Sequence, residues 1–212
     1  MGTVRKYRIA CVGDEADLGR LMERMPVSIA GVRHPSLARA VCHEACRARG
    51  CFIVLALHHA EPVGYSLVIT NWSSFRVCFL ARHPLIAVRV VAAVLKKSVR
   101  NHSRVRNHGA SFAAEATRSN AVAEAPPRGP RWSDAGRGIA KVFYTAVVPE
   151  HRRSGVASGL KRAYIKRVRE LGMVRLDARI SRENTASIEL NRRSGWELHE
   201  EGDYVLAVLH IR

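Results

Sequence analysis

A short basic turn between two apolar segments contains the residue types that bind phosphate groups. It spans Arg152–Ala157 and reads RRSGVA. The run before it, Val142–Val148, is rich in β-branched residues and is closed by Pro149, which predicts a strand. Beyond the turn, apolar residues recur at helical spacing as far as Leu171, and Gly172 suits the end of a helix. The pattern therefore predicts a strand, a basic turn and a helix.

The turn offers an anion three kinds of contact. Ser154 is predicted to cap the helix, whose first backbone amides and dipole favour a negative charge. Gly155 and Ala157 keep side chains short, so that a pyrophosphate can approach the backbone. Arg152 and Arg153 add positive charge at the same place. Taken alone, the hexapeptide fits an ordinary strand-to-helix turn with solvated arginines equally well.

A second motif follows the helix and raises the specificity of the first. After a predicted strand, Val174–Ile180, come Asn184, Ser187 and Asn191, which share one face of a predicted helix that ends near Gly195–Trp196. Together the two segments read P-E-x-R-x-x-G-x-A and N-x-x-S/A-x-x-L followed by G-W. In this order and spacing they resemble the GNAT superfamily, the acetyl-CoA-dependent N-acyltransferases.

The resemblance implies a fold for the whole chain. It predicts one α/β domain over residues 1–212, with a mixed sheet, helices on its faces and an insertion at about residues 72–139, before the fourth strand. The implied element order is β-α-α-β-β, a helical insertion, then β-α-β-α-β-β. The residue pattern alone supports these further elements: strands at Tyr7–Val12, Cys51–Leu57, Val63–Thr70, Trp196–Glu200 and Tyr204–Ile211, a turn at Ala60–Pro62, a helix through Met22 capped by Asp14 or Asp17, and a helix at Pro35–Arg49.

The insertion is the part that the resemblance explains least. Leu85–Leu95 is almost continuously apolar, but it is shorter than the ~20 residues that cross a bilayer. We expect a helix packed beside the sheet, and a helix on a membrane surface is the alternative. Arg100–Gly138 shows little periodicity, which favours a lid or a disordered loop.

The resemblance also implies which residues hold acetyl-CoA. In the family, the pantetheine pairs with the backbone of a strand that splays from its neighbour, and the pyrophosphate meets the amides of the following turn. A strand N–H near Val147 or Val148 would polarise the thioester carbonyl. Asn184 can cap its helix and reach the cofactor. The residues expected to bind acetyl-CoA are Ala146, Val147, Val148, Arg152, Arg153, Ser154, Gly155, Val156, Ala157, Asn184, Ser187 and Asn191. No metal is expected.

The groups that move protons depart from the family pattern. Many members have a Tyr, which protonates the leaving thiolate, where this chain has Asn191. A carboxylate found late in the next strand of some members is replaced here by Arg179. Asp177, Tyr144 and Tyr204 are the remaining candidates beside Asn191, although each such residue more often packs, and water is an alternative. A CoA-binding regulatory module with weak catalysis therefore stays open beside an acetyltransferase.

The composition limits the possible binding partners and the cellular compartment. The chain carries a formal net charge of +17, which invites a nucleic-acid or anionic-membrane partner. Aromatic residues make up only 6%, which disfavours single-strand binding, and we expect a small-molecule or peptide amine as acceptor. Five cysteines without a regular spacing, and a start unlike a signal peptide, predict free thiols in the cytoplasm. The oligomeric state, including a dimer, stays open.

Overall fold

The computed structural model describes residues 5–25, 28–29, 32–33, 35–47, 50–84, 88 and 138–212. The predicted loop at Arg100–Gly138 lies outside these residues except for Gly138. The predicted apolar helix at Leu85–Leu95 lies outside them except for Val88. What the structure shows of the expected insertion is its first helix, Trp72–Arg82.

Nine strands and five α-helices build the described part of the chain. The strands are β1 (Arg5–Ile9), β2 (Ser28–Ile29), β3 (Val32–Arg33), β4 (Cys51–His58), β5 (Glu61–Ile69), β6 (Ile139–Val147), β7 (Arg175–Ser181), β8 (Glu197–Glu201) and β9 (Tyr204–His210). The helices are α1 (Glu15–Arg24), α2 (Pro35–Arg47), α3 (Trp72–Arg82), α4 (Val156–Glu170) and α5 (Thr185–Arg193). Apart from the small β2–β3 pair, this is the element order that the sequence predicts.

Seven strands form one mixed sheet in the order β1-β4-β5-β6-β7-β9-β8. Every pair is antiparallel except β6–β7, which is parallel. A parallel pair needs a crossover, and α4 supplies it. The predicted mixed α/β fold is confirmed. Within the described residues, none of the helices is long and apolar enough to cross a membrane.

Two neighbouring residues of β5 show that helices cover both faces of the sheet. A Cβ on Gly64 would meet Val156 and Leu160 of α4. The next residue, Tyr65, is fully buried and donates its hydroxyl to the carbonyl oxygen of Met25, at the end of α1, over 3.2 Å. Because consecutive strand residues point to opposite faces, α4 and α1 lie on opposite sides of the sheet.

Some predicted boundaries are wrong by a few residues. The predicted turn at Ala60–Pro62 is instead His59–Ala60, both with positive φ. Pro62 belongs to β5 and lies beside the bulge residue Val63, since Ala56 pairs with Gly64 but Leu57 with Pro62; the ladder is irregular there and a missing N–H is tolerated. The remaining shifts place β1 at Arg5–Ile9, α2 at Pro35–Arg47, β7 at Arg175–Ser181, β8 at Glu197–Glu201 and β9 at Tyr204–His210.

Asp14 stands at the predicted cap of α1 but does not act as one. Its carboxylate accepts no hydrogen bond from the helix amides. It instead accepts two from the Arg8 guanidinium, each at 2.5 Å, and one from the Cys11 amide. The Arg8 hydrogen bonds hold the pKa of the Asp14 carboxyl well below its usual range. The charge therefore ties β1 to the start of α1.

Gly159 of α4 provides the space in which Tyr7 of β1 packs. A Cβ at Gly159 would lie 2.0 Å from both Cζ and the hydroxyl oxygen of Tyr7. We therefore expect Gly159→Ala to lower the free energy of unfolding by about 1–3 kcal/mol, measured by urea denaturation. Gly19 of α1 is the matched control, because a Cβ there meets nothing within 4 Å. Gly19→Ala should be neutral or stabilising.

The same contact predicts a coupling. In a Tyr7→Leu background, Gly159→Ala should be clearly less destabilising than in the wild-type chain, because the ring that clashes is gone. An equal loss of stability in both backgrounds would contradict the packing described here.

Candidate active site

The central feature of the site is a gap between the parallel strands β6 and β7. Their pairing runs from Ile139↔Arg175 to Val142↔Ala178 and stops there. At the same point, Phe143 forms a bulge, because β5 pairs Val68 with Val142 but Leu67 with Tyr144. Beyond the bulge β6 continues along β5 alone, so its other edge is open.

The register decides which backbone groups face the gap. The Val148 amide donates to the Val63 carbonyl oxygen over 3.0 Å, so Val148 is turned toward β5. Alternate residues of an antiparallel strand direct their N–H and C=O groups to opposite neighbours. Val147 and Thr145 therefore face the gap, whereas Ala146 and Val148 face β5. This corrects the prediction that the Val148 N–H is available to a thioester.

The basic turn after β6 has the conformation that its glycine permits. Gly155 has φ 84° and stands at the N-cap of α4, and Arg153 also has positive φ, 57°. The prediction that Ser154 caps the helix is wrong, since its hydroxyl donates to the His151 carbonyl oxygen. The first intrahelical bond runs from Gly159 to the Gly155 carbonyl, which leaves the amides of residues 156–158 without an acceptor in the helix.

The two arginines of the turn stand at the mouth of the gap. Arg152 and Arg153 are both exposed. Arg152 donates from Nε to the Val147 carbonyl oxygen over 3.2 Å. This contact fixes one cation beside the open edge of β6 and within the same turn as the free amides. The positive end of the helix dipole and the guanidinium charge therefore both favour an anion at the same place.

The gap continues inward as a groove of about 210 Å³. Strand residues of β6 and β7 form two of its walls, and side chains of α4 and α5 form the others. The three residues predicted to share a helix face, Asn184, Ser187 and Asn191, all line it. The Asn184 side chain also accepts from the Ser187 amide over 3.1 Å, so its predicted role as a helix cap is observed. The complete lining is Val142, Phe143, Tyr144, Thr145, Ala157, Lys161, Tyr164, Ala178, Arg179, Ile180, Ser181, Asn184, Ser187, Leu190 and Asn191.

Lys161 is the lining residue that sequence reasoning missed. It lies on α4 and is 5% exposed, and its Nζ donates to the Asn191 side-chain oxygen over 2.7 Å. Nζ also lies 4.7 Å from the ring centroid of Trp196. Burial lowers the pKa of Lys161 to about 8. A signal was present in the sequence, because Lys161 lies three residues before Tyr164 and seven before Val168 and therefore shares their buried face of the helix.

The structure separates the other three candidates for proton transfer. Tyr144 lines the groove and stacks on Tyr65, with ring centroids 5.8 Å apart. Tyr204 lies outside the groove lining, with the Arg179 guanidinium 3.8 Å from its ring centroid. Asp177 is fully buried, and its carboxylate accepts from Arg175 at 2.7 and 2.9 Å. The expectation that Asp177 serves as a base is therefore corrected, because it is enclosed in an ion pair away from the groove.

Cysteine chemistry is not built into the described part of the groove. Cys46 and Cys51 lie elsewhere, and burial raises the pKa of Cys46 to about 11 and that of Cys51 to about 12. Such thiols are weak nucleophiles at neutral pH. The groove lining contains no cysteine.

A separate cluster at the end of α3 has donor atoms that could reach a metal ion. His43, Glu44 and His83 each offer one such atom, all within 4.8 Å of one another. Glu44 is fully buried, however, and both of its carboxylate oxygens accept from Arg82 at 3.2 Å. The buried charge is therefore already compensated by a guanidinium, and we assign this cluster to the packing of α2 against α3.

Comparison with known proteins identifies the family of the chain. The family model described as the acetyltransferase (GNAT) family matches residues 21–196. A comparison with curated proteins finds no match.

Solved structures share the fold over nearly the whole chain. The GNAT-family acetyltransferase from Streptococcus pneumoniae is 12% identical with a TM-score of 0.58, covering 99% of this chain and 100% of that one. The protein yncA from Salmonella typhimurium, solved with its cofactor acetyl-CoA, is 16% identical with a TM-score of 0.58, covering 98% and 94%. The ribosomal-protein-S18-alanine N-acetyltransferase from Escherichia coli is 10% identical with a TM-score of 0.56, covering 98% and 94%. The family match, supported by this shared fold, shows that the chain belongs to the GNAT family of acetyltransferases and is an acyltransferase.

Proposed function

We propose that this acyltransferase moves an acetyl group from acetyl-CoA to a primary amine by direct attack within a ternary complex. The observation that carries the proposal is the open edge of β6, which leads directly into the free amides of α4. A ligand that follows this path needs a chain that pairs with a strand edge and a polyanion at its end. Acetyl-CoA has both, in its pantetheine arm and its pyrophosphate.

The two parts of the cofactor have separate binding surfaces in this proposal. The pantetheine pairs with the β6 edge at Val147, and the thioester lies farther in beside Thr145, since both residues are turned toward the gap. The pyrophosphate meets the amides of residues 156–158, where Gly155 leaves room for it. Arg152 and Arg153 contribute charge at the surface, where it is screened by salt. Asn184 and Ser187 border the groove from the opposite side.

The chemistry requires a thioester carbonyl held beside a hydrogen-bond donor. The Thr145 N–H, which the register leaves free on the β6 edge farther from the phosphate turn than Val147, would stabilise the oxyanion that forms during attack. The acceptor amine attacks as the neutral base. Among the described residues, the groove lining has no cysteine that could carry an acyl group, which favours direct transfer.

A negative charge introduced at position 155 tests where the pyrophosphate binds. Asn and Asp have nearly the same size, and both tolerate positive φ better than other side chains. We expect Gly155→Asp to bind CoA at least ~10-fold more weakly than Gly155→Asn, because only the former sets a negative charge against the pyrophosphate. Isothermal titration calorimetry at low salt measures both affinities.

Equal affinities of the two variants for CoA would contradict the assignment of the pyrophosphate to this turn. Because both variants share the backbone change, a difference between them reports charge and not folding. Far-ultraviolet circular dichroism checks that both are folded.

Acetyl transfer itself is tested with a broad panel of primary amines, both small molecules and peptides. We expect acetyl-CoA to be consumed faster in the presence of at least one amine, with the acetylated amine detected by mass spectrometry. Tight CoA binding without transfer to any amine of the panel would instead favour a CoA-binding module with weak catalysis.

A further inference from the structure

Lys161 is a buried ammonium that lines the groove, and it takes part in none of the cofactor contacts proposed above. It is 5% exposed and forms no ion pair with a carboxylate within the described residues. An ionised amine removed from water is unfavourable unless it is compensated. The compensation consists of the Asn191 oxygen at 2.7 Å and the face of Trp196 at 4.7 Å. Both are neutral groups.

Asn191 is held so that its oxygen, and not its nitrogen, faces Lys161. Its Nδ2 donates to the Ser187 carbonyl oxygen over 2.8 Å, one helical turn earlier. The amide is thereby oriented with Oδ1 toward the ammonium. Asn191 is itself 5% exposed, and its backbone carbonyl accepts from the Trp196 amide over 3.2 Å. The three residues form one fixed unit.

The position of this unit matches the reacting end of the proposed cofactor. Lys161 and Asn191 line the same groove as Tyr144 and Thr145, the β6 residues just past the bulge. The pyrophosphate site lies at the start of α4, and Lys161 stands more than one helical turn further along the same helix. The ammonium is therefore at the inner end of the groove, and the phosphates are at its mouth.

We propose that Lys161 is the catalytic acid that protonates the departing CoA thiolate, and that Asn191 is the positioning residue that directs it. The inference rests on the proposed function and deepens it. The neutral acceptor amine attacks the thioester carbon, and a C–N bond forms. The C–S bond then breaks, and its electron pair stays on sulfur. Lys161 gives a proton to that sulfur, the new ammonium on the acceptor nitrogen loses one to solvent, and solvent reprotonates Lys161.

The acid strength of the group suits this task. An efficient acid has a pKa near the working pH, and burial has brought that of Lys161 to about 8. Tyr164, the neighbouring phenol in the lining, is less suitable, because burial raises its pKa well above the usual value. Asn191 cannot supply a proton of its own at neutral pH.

The first test needs no acceptor. The thiol of bound CoA is titrated by the ultraviolet absorbance of the thiolate, with the wild-type chain, Lys161→Met and the control Lys166→Met, an exposed lysine of the same helix. A nearby ammonium favours the thiolate, so the bound thiol should have a lower pKa in wild type and in Lys166→Met than in Lys161→Met. An unchanged thiol pKa in Lys161→Met, with CoA still bound, would overturn the proposal.

The second test uses the amine found active in the panel. Lys161→Met should lower kcat by ~10²-fold or more while the affinity for CoA stays within a few fold. With the acetyl selenoester of CoA, whose selenolate leaves without a proton, the loss should be much smaller. Lys166→Met should keep wild-type turnover. Equal losses with thioester and selenoester would show a structural role and overturn the proposal.

The pH dependence of kcat distinguishes a positioning role of Asn191 from a packing role. With an acceptor that stays neutral over the range, kcat should fall as pH rises through the pKa of Lys161, because only the ammonium donates. Asn191→Asp places a carboxylate beside the ammonium, which raises its pKa, so the fall should move to higher pH. A fall at the same pH in Asn191→Asp would overturn the role of Asn191. Failure of the wild-type chain to acetylate any amine would overturn the proposed function and this inference with it, whereas normal turnover by Lys161→Met would overturn the inference alone.

Discussion

The structure depends on one interruption of its sheet. β6 and β7 pair for four residues and then separate at the bulge formed by Phe143. A strand edge in the middle of a sheet is normally satisfied by its neighbour, and unpaired backbone groups there are unfavourable unless water or a ligand satisfies them. Water or a ligand must therefore bind the backbone groups that the separation leaves unpaired. A strand edge followed at once by a helix N-terminus suits an extended ligand with an anionic end.

The remaining elements support this opening. β5 holds β6 on one side as far as Val147, so the exposed edge cannot collapse. The crossover helix α4 is pressed onto the sheet through Gly64 and Gly159, two positions where a side chain would push it away. Its start, with Gly155 in the left-handed region, is thereby fixed at the mouth of the groove. Close packing of one helix thus sets the positions of both the basic turn and Lys161.

The sequence predicted the fold and the strand, basic turn and helix at Val142–Gly172 because those features have local signatures. The glycine of the turn, the apolar periodicity of α4 and the asparagine cap of α5 can each be read from a few neighbouring residues. The predicted contacts of Val148 and Ser154 were wrong for a different reason. Which way a strand residue turns depends on its register with a distant strand, and Val63 takes the Val148 amide. The Ser154 hydroxyl is taken by a carbonyl within the turn itself.

The unit of Lys161 and Asn191 could not be predicted for the same reason. The two residues are 30 positions apart, and each has an ordinary role on its own helix. The substitution of Asn191 was visible in the sequence, but its consequence depends on a lysine that only the packing of α4 against α5 brings near. For Asp177, the sequence suggested a catalytic role that the structure does not support. Its position on the strand suggested a base, but it is buried in an ion pair with Arg175.

Residue-resolved amide hydrogen exchange by NMR shows whether the open edge of β6 receives the cofactor. CoA should strongly slow exchange of the Thr145 and Val147 amides. Exchange of the Ala146 and Val148 amides, which are already bonded toward β5, should change little. A general stabilisation of the fold by CoA would slow exchange along the whole strand and would not give protection at every second amide. Equal slowing of all four amides, or of none, would show that CoA does not pair with this edge of β6.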